Sequence, residues 1–213
     1  MIRRTHFFPS NRLGPHLFSS IGLITLSVLL LGSGRIARAA EITITVDTFL
    51  DPVTALSACT DITDDDCSLR GAIDLANNDP ANAYTIVLPA GTYELQQDNE
   101  VSDDDNNTGD LDVQTSLTIS GAGSAMTIIN APVDDRLIHL INDSAPVDMN
   151  ITISGVTLQN GYSDSAGGGI QNDGATLTLT TVVLQNNQSV VQGGGVANLG
   201  GVLTMNDSAV TSN

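Results

Sequence analysis

The chain writes one pattern twice. "GGGIQNDGATLTLTTVVLQNNQ" starts at Gly167 and "GGGVANLGGVLTMNDSAVTSN" starts at Gly193, 26 residues later. With the units laid over one another, Ile151, Leu177 and Leu203 coincide, as do Ile153, Leu179 and Met205. Thr152, Thr178 and Thr204 fall between them. Apolar and polar residues thus alternate with period two, the signature of a strand with one face inward. A second short strand is expected at 156–158 and 182–184, ahead of the pairs Gln159-Asn160 and Gln185-Asn186. A third follows the glycines, with Ile170 over Val196 and Asn172 over Asn198.

Three short strands per unit cannot close a sheet among themselves. They can if each unit is one coil of a solenoid, with every strand pairing in parallel with its equivalent in the next coil. Connections between consecutive parallel strands are overwhelmingly right-handed. The expected fold is therefore all-β, a right-handed parallel β-helix with three strands per coil and a 26-residue period. No helical period separates the strands, against isolated βαβ units, and a β-sandwich gives no reason for identical spacing.

Upstream, "SLTISGAG" from Ser116 opens like "NITISGVT" from Asn150. The stretch "TIINAPVDDRLIHLIND" between them holds two further strands of a longer coil, and "YTIVLPAGTYEL" reads as strand, Pro-Gly turn and strand. The coils are expected to run over 84–213 and to be incomplete at the C-terminus, because the last strand has no following glycines or cap. Ahead of them Ser68 is a good N-cap, and Leu69, Ala72, Ile73 and Ala76 share one helical face. A short helix over 69–77 is expected to cap the first coil within an N-terminal region 40–83.

The first 39 residues have a different character. Arg3, Arg4 and Arg12 precede an apolar run at 21–31, followed by Ala37-Arg38-Ala39. That is the layout of a cleaved secretory signal peptide. The run has 11 residues, short of the ~20 that cross a bilayer, so no membrane span is expected after cleavage. Beyond it, from Ala40 on, two basic residues face 24 acidic ones, a net charge of −22, and there is no lysine. Such a surface excludes phosphate backbones, hence nucleic acid, as a partner and favours divalent cations. The two cysteines, Cys59 and Cys67, close an Asp-rich loop "CTDITDDDC". In an oxidising compartment they are expected to form a disulfide; the competing readings are free thiols or a metal site, which would need further soft ligands.

The stretch "CSLRGAIDLAN", followed by "IVLPAGTY", "GDLDV", "LTISGAG" and the "GGGI" coils, resembles the secreted bacterial β-helix proteins named for a Cys-Ser-Leu-Arg-Glu-Ala motif. The coils are also similar to those of polymorphic outer-membrane proteins and other pectate-lyase-like β-helices. The resemblance covers nearly all of the chain after the signal segment. It implies a fold and a place, the cell exterior, and no established reaction. Gly71 stands where the family motif has Glu, so any role of that acid is absent here.

Resemblance to pectate lyases calls for an arginine or lysine base, for which the chain after the signal segment offers Arg70 and Arg136. Resemblance to polygalacturonase-like hydrolases draws attention to Asp134, Asp135, Arg136 and His139 in "DDRLIH". The two aspartates are neighbours, and neighbouring strand residues point to opposite faces. The flanking motifs of that family are missing, so this segment reads as a solvated turn leading into a strand.

A metal loop is better supported. "DNNTGDLDV" spaces Asp104, Asn106, Thr108, Asp110 and Asp112 at alternate positions, with Gly109 sixth, as in an EF-hand calcium loop. Thr115 stands where that pattern has its bidentate glutamate. Finally, Thr118, Thr152, Thr178 and Thr204 are expected to form an outward row spaced by ~4.8 Å. Such a row suits sugar or ice as well as simple solvation. The function expected is adhesion or structural display by a secreted or cell-surface protein, non-catalytic in this segment. Its partners would be extracellular polysaccharide or a host or neighbouring cell surface. The rivals are the N-terminal part of a polysaccharide lyase or glycoside hydrolase, and a carbohydrate- or ice-binding module using the threonines.

Overall fold

Strands arise where aliphatic and hydroxyl residues alternate, and every pairing between them is parallel. The computed structural model describes residues 40–52, 59, 65–95, 106–131, 135–142 and 148–213. Among these there are seventeen strands and one helix. Residues 1–39, where a signal peptide is expected, lie outside the described residues.

The largest sheet has six strands in the order β1 (Glu41–Thr45), β2 (Ala83–Leu88), β5 (Leu117–Gly121), β8 (Asn150–Ser154), β12 (Thr176–Thr180) and β16 (Val202–Asn206). A five-stranded sheet joins β3 (Gly91–Glu94), β6 (Thr127–Asn130), β9 (Thr157–Gln159), β13 (Val183–Gln185) and β17 (Ala209–Thr211). Four strands, β4 (Leu111–Val113), β7 (Ile138–Ile141), β11 (Ile170–Asp173) and β15 (Val196–Leu199), make the third sheet. The last has two, β10 (Tyr162–Ser163) and β14 (Gln188–Ser189). All-β with parallel sheets and a single described helix is the fold.

The 26-residue repeat is expressed as register. Leu179 lies opposite Ile153 on one side and Met205 on the other, and Leu177 opposite Ile151 and Leu203. The row continues through Ile44, Ile86 and Ile119, so aliphatic side chains stack from strand to strand. Ile86, Ile119, Ile153 and Leu179 are fully buried, each such burial contributing about 1.5–3 kcal/mol. Between strands the backbone takes left-handed corners, with Asn160 at φ 63° and Asn186 at φ 56°, a conformation Asn tolerates well. Asn172 sits fully buried beside another corner. It bonds the Ala175 N–H and C=O and donates to Asn198 Oδ1 at 2.7 Å, a ladder of amides between the two residues that the repeat aligns.

The helix α1 (Leu69–Asn77) has the expected limits, with Ser68 Oγ accepting from the Gly71 N–H at 3.0 Å. Leu69, Ala72, Ile73 and Ala76 join the core. The Asn77 amide donates to the Asp112 carbonyl at 2.8 Å, tying the end of α1 to β4. Cys59 and Cys67 are joined by a disulfide. The sheet begins earlier than 84, because β1 pairs in register with β2 from Glu41↔Ala83 to Thr45↔Val87.

Candidate functional site

Two constellations carry chemistry, one on the surface and one buried. The first is the outer face of the six-stranded sheet. Thr43, Thr85, Thr118, Thr152, Thr178 and Thr204 lie opposite one another in unbroken register. Thr118, Thr152, Thr178 and Thr204 were anticipated; Thr43 and Thr85 lengthen the row to six. Thr43 and Thr204 are exposed and the four between them half-buried, as flat packing of neighbours requires. The flanking outward positions include Asn150, Ser120, Ser154, Thr176 and Thr180, and Glu41 is the one charged residue among them. An open groove beside the row is lined by Thr85, Ser116, Thr118, Asn150 and Thr152. In a chain with 24 acidic residues, this face is nearly uncharged.

The second constellation starts at the loop before β4. Arg70, on the first turn of α1, is buried to 1 % exposure and forms a two-pronged ion pair with Asp51, at 2.7 and 2.9 Å. Its remaining N–H groups donate to the carbonyls of Gly109 at 2.7 Å and Asp110 at 2.8 Å, with those of Asn106 and Thr108 at 3.4 and 3.5 Å. A planar guanidinium with five donors suits such a cradle of oxygens. Of the residues expected to bind calcium, Asp104 lies outside the described residues. Asn106, Thr108, Asp110 and Asp112 do come together, with backbone oxygens of the first three turned to Arg70. Asn106 and Asp112 also exchange bonds, each backbone N–H donating to the other's side chain at 3.0 Å.

The loop continues into a polar cluster on the outer side of the four-stranded sheet. Asp112 of β4 lies opposite His139 of β7, and His139 opposite Gln171 of β11. The His139 Nδ1 is 3.5 Å from Asp112 Oδ1, while its Nε2 is 2.9 Å from Asp173 Oδ2 and 3.2 Å from the Gln171 amide. Arg136, just before β7, bonds both the Asp110 carboxylate and Gln171 Oε1. The solvated turn expected for "DDRLIH" is corrected here for the residues described: Arg136 is 9 % and His139 8 % exposed. They are buried because opposite charges from the preceding loop and the next strand meet them. Asp134 lies outside the described residues.

Electrostatics in this cluster are perturbed. Burial raises the Asp112 carboxyl above the usual aspartate range, the neighbouring His139 imidazole opposes that, and the charge of Asp110 adds to it. Asp135 is pushed up to about 6, first by burial and then by Asp110. For His139 burial is the largest influence and lowers the pKa; the nearby carboxylates of Asp112 and Asp173 together outweigh it, and the net shift is upward.

Asp51, Gln171 and Asp173 were not foreseen as partners. Asp173 carried one signal, its place two residues after Gln171 on the same strand face. No protein-family model, curated protein or solved structure matches this chain. Among the described residues no helix is long and apolar enough to cross a membrane.

Proposed function

We propose that this chain is an exported right-handed parallel β-helix whose role is adhesion, with the threonine face as its contact surface and a neutral extracellular polysaccharide as its partner. The observation that carries the reading is the unbroken register of six threonines on a face almost free of charge. A row of hydroxyls, each both donor and acceptor and spaced by ~4.8 Å, matches a linear polymer that offers hydroxyls along its length. One regular column favours a chain over a crystal face such as ice, which is periodic in two directions, and the flanking columns mix Ala83, Asn150, Val87 and Ser120. Acidic polymers are disfavoured by the −22 charge of the chain after the signal segment.

The β-helix itself is supported by the parallel pairing of equivalent strands 26 residues apart in each of the sheets that β11 to β17 join. Right-handedness rests on the general preference of parallel connections. Export is supported by the signal-like segment, by the disulfide, and by the resemblance to the secreted Cys-Ser-Leu-Arg-Glu-Ala proteins. Arg70 and Arg136, the candidate bases of a lyase reading, are both held in ion pairs with aspartates.

The test is retention on neutral glucans, soluble dextran and insoluble cellulose, by affinity electrophoresis and pull-down. Thr152→Asp with Thr178→Asp should abolish retention while the melting temperature moves little. Equal retention of variant and wild type, or no retention of wild type on any neutral polymer, would reject this surface as the adhesive one.

A further inference from the structure

We propose that Asp110, Asp112 and His139 form a binding site for one divalent first-row transition-metal ion, Zn²⁺ being the natural candidate. One potential ligand atom from each of the three lies within 4.8 Å of the others, and all three residues are buried. Clustered carboxylates alone are common on acidic proteins; the case here rests on a second observation. Asp112 is 0 % exposed, and its Oδ1 has no hydrogen-bond partner although Oδ2 accepts from the Asn106 N–H. A carboxylate oxygen sealed from water without a donor is costly, and this one faces the imidazole of His139.

The distance between them is informative. At 3.5 Å, Asp112 Oδ1 and His139 Nδ1 are too far apart for a good hydrogen bond. Two ligand atoms ~2.1 Å from a shared tetrahedral ion stand about 3.4 Å apart. The observed separation matches that of two ligands on one ion.

The other ring nitrogen fits the same reading. Nε2 lies 2.9 Å from Asp173 Oδ2. With the proton on Nε2 and donated to Asp173, Nδ1 presents its lone pair toward Asp112. Carboxylate, histidine and metal in that sequence is the usual way a metal-ligating imidazole is oriented and made more basic. Charge completes the argument. Asp110, Asp112 and Asp173 face one guanidinium, Arg136, which bonds Asp110; a protonated imidazole still leaves one negative charge uncompensated, a neutral one leaves two, and Asp135 adds to the deficit. Arg70 does not help, being committed to Asp51. A divalent cation cancels the deficit.

The donor set selects the ion. An imidazole nitrogen suits Zn²⁺ and its neighbours in the first row and is foreign to calcium, which takes oxygen. The site is thus distinct from the calcium loop that the spacing of Asp104 to Asp112 suggests, although it shares two aspartates with it. Asp173, whose side chain is 37 % exposed, sits between the cluster and solvent and marks the side of entry.

The test is equilibrium dialysis of the chelator-stripped full chain against Zn²⁺, with visible spectroscopy of the Co²⁺ form and the His139 ring resonances followed by NMR. One ion per chain, a Co²⁺ spectrum of low coordination number and a shifted His139 resonance are expected. Asp112→Asn and His139→Gln should each remove stoichiometric uptake. Asp173→Asn, which leaves all three ligands, should weaken it by about 10–100-fold. Uptake undiminished in the first two variants would place the ion on other acidic groups and overturn the proposal. So would calcium displacing Zn²⁺ at equal concentration, or a wild type that retains no Zn²⁺ and stabilises the cluster with protons alone. Where a variant does not fold, the wild-type His139 resonance decides: a ring unmoved by saturating Zn²⁺ refutes nitrogen ligation.

Discussion

Truncating Leu179 to Ala probes the inward column where it is most completely enclosed. Leu179 is fully buried between Ile153 and Met205 in register. Removing three carbons loses roughly 2.4 kcal/mol of transfer free energy at ~0.8 kcal/mol per methylene equivalent. A cavity term adds to this, since surrounding strands are held by their own ladders and relax only in part. Met205 is half-buried and unbranched, so it can lean into the space and limit that term. The expected total is about 3 kcal/mol, within the ~2–5 kcal/mol measured for such truncations. Thr178→Ala, one residue away on the opposite face, should cost well under ~1 kcal/mol. Leu179→Asp should be worse than either, because its partners in register, Ile153 and Met205, offer no cation to a buried carboxylate. Urea unfolding followed by circular dichroism at fixed pH gives all three values. Equal costs at 178 and 179 would refute the assignment of faces, and with it the pairing of β12 between β8 and β16.

Two further outcomes are expected. Thiol labelling of the native, unreduced protein should find no reactive cysteine, and labelling after reduction should find both; a label on native Cys59 or Cys67 contradicts the observed bridge. The raised pKa of Asp135, about 6 against an unfolded value near 4, means that the folded state holds this proton more tightly than the unfolded chain. Its contribution to stability is therefore fully present below about pH 4 and is lost as pH rises through about 6. Asp135→Asn should flatten that part of the stability–pH curve, and a wild type whose stability instead rises over the same range relative to the variant would show the sign to be wrong.

The sheets were legible in the sequence because period-two alternation at constant spacing leaves little freedom. Once Leu177 and Leu203 are both inward, a slip of one residue would turn every aliphatic to solvent. Strand ends were less legible: the second strand of each unit was expected at 156–158 and lies at Thr157–Gln159, since pairing bonds and not side-chain pattern define where a ladder stops. The first two threonines of the row were hidden by irregular spacing. Thr43, Thr85, Thr118 and Thr152 are separated by 42, 33 and 34 residues, and only Thr152, Thr178 and Thr204 are 26 apart. Thr118 was found because "SLTISGAG" repeats the letters of "NITISGVT", a likeness that the segments around Thr43 and Thr85 lack. Extra residues fall between the strands, which changes the count from one to the next and leaves the register alone. β1 was lost for the same reason, with an Asp-rich, disulfide-closed segment between it and its partner.

The charged cluster was hidden more deeply, and the reason is chemical. A loop with oxygen-bearing residues at alternate positions advertises that it will gather oxygens around something positive; spacing alone does not say what. In this chain the backbone oxygens of Asn106, Thr108, Gly109 and Asp110 converge on the Arg70 guanidinium, supplied from a helix 36 to 40 residues earlier in the chain. The carboxylates of Asp110 and Asp112 turn the other way, toward Arg136, just before β7, and His139 within it. Backbone and side-chain oxygens of one loop thus serve two different cationic centres, which is possible because Asn106 at φ 59° and Gly109 at φ 64° bend the chain twice within four residues. The same bends place Asp110 and Asp112 on one side, facing the imidazole, and leave Asp112 Oδ1 without a donor. An arginine that fills the cradle does not compete with an ion at the second centre. By binding the carbonyls and Asp51, Arg70 holds together the stretch of loop from which Asp110 and Asp112 project.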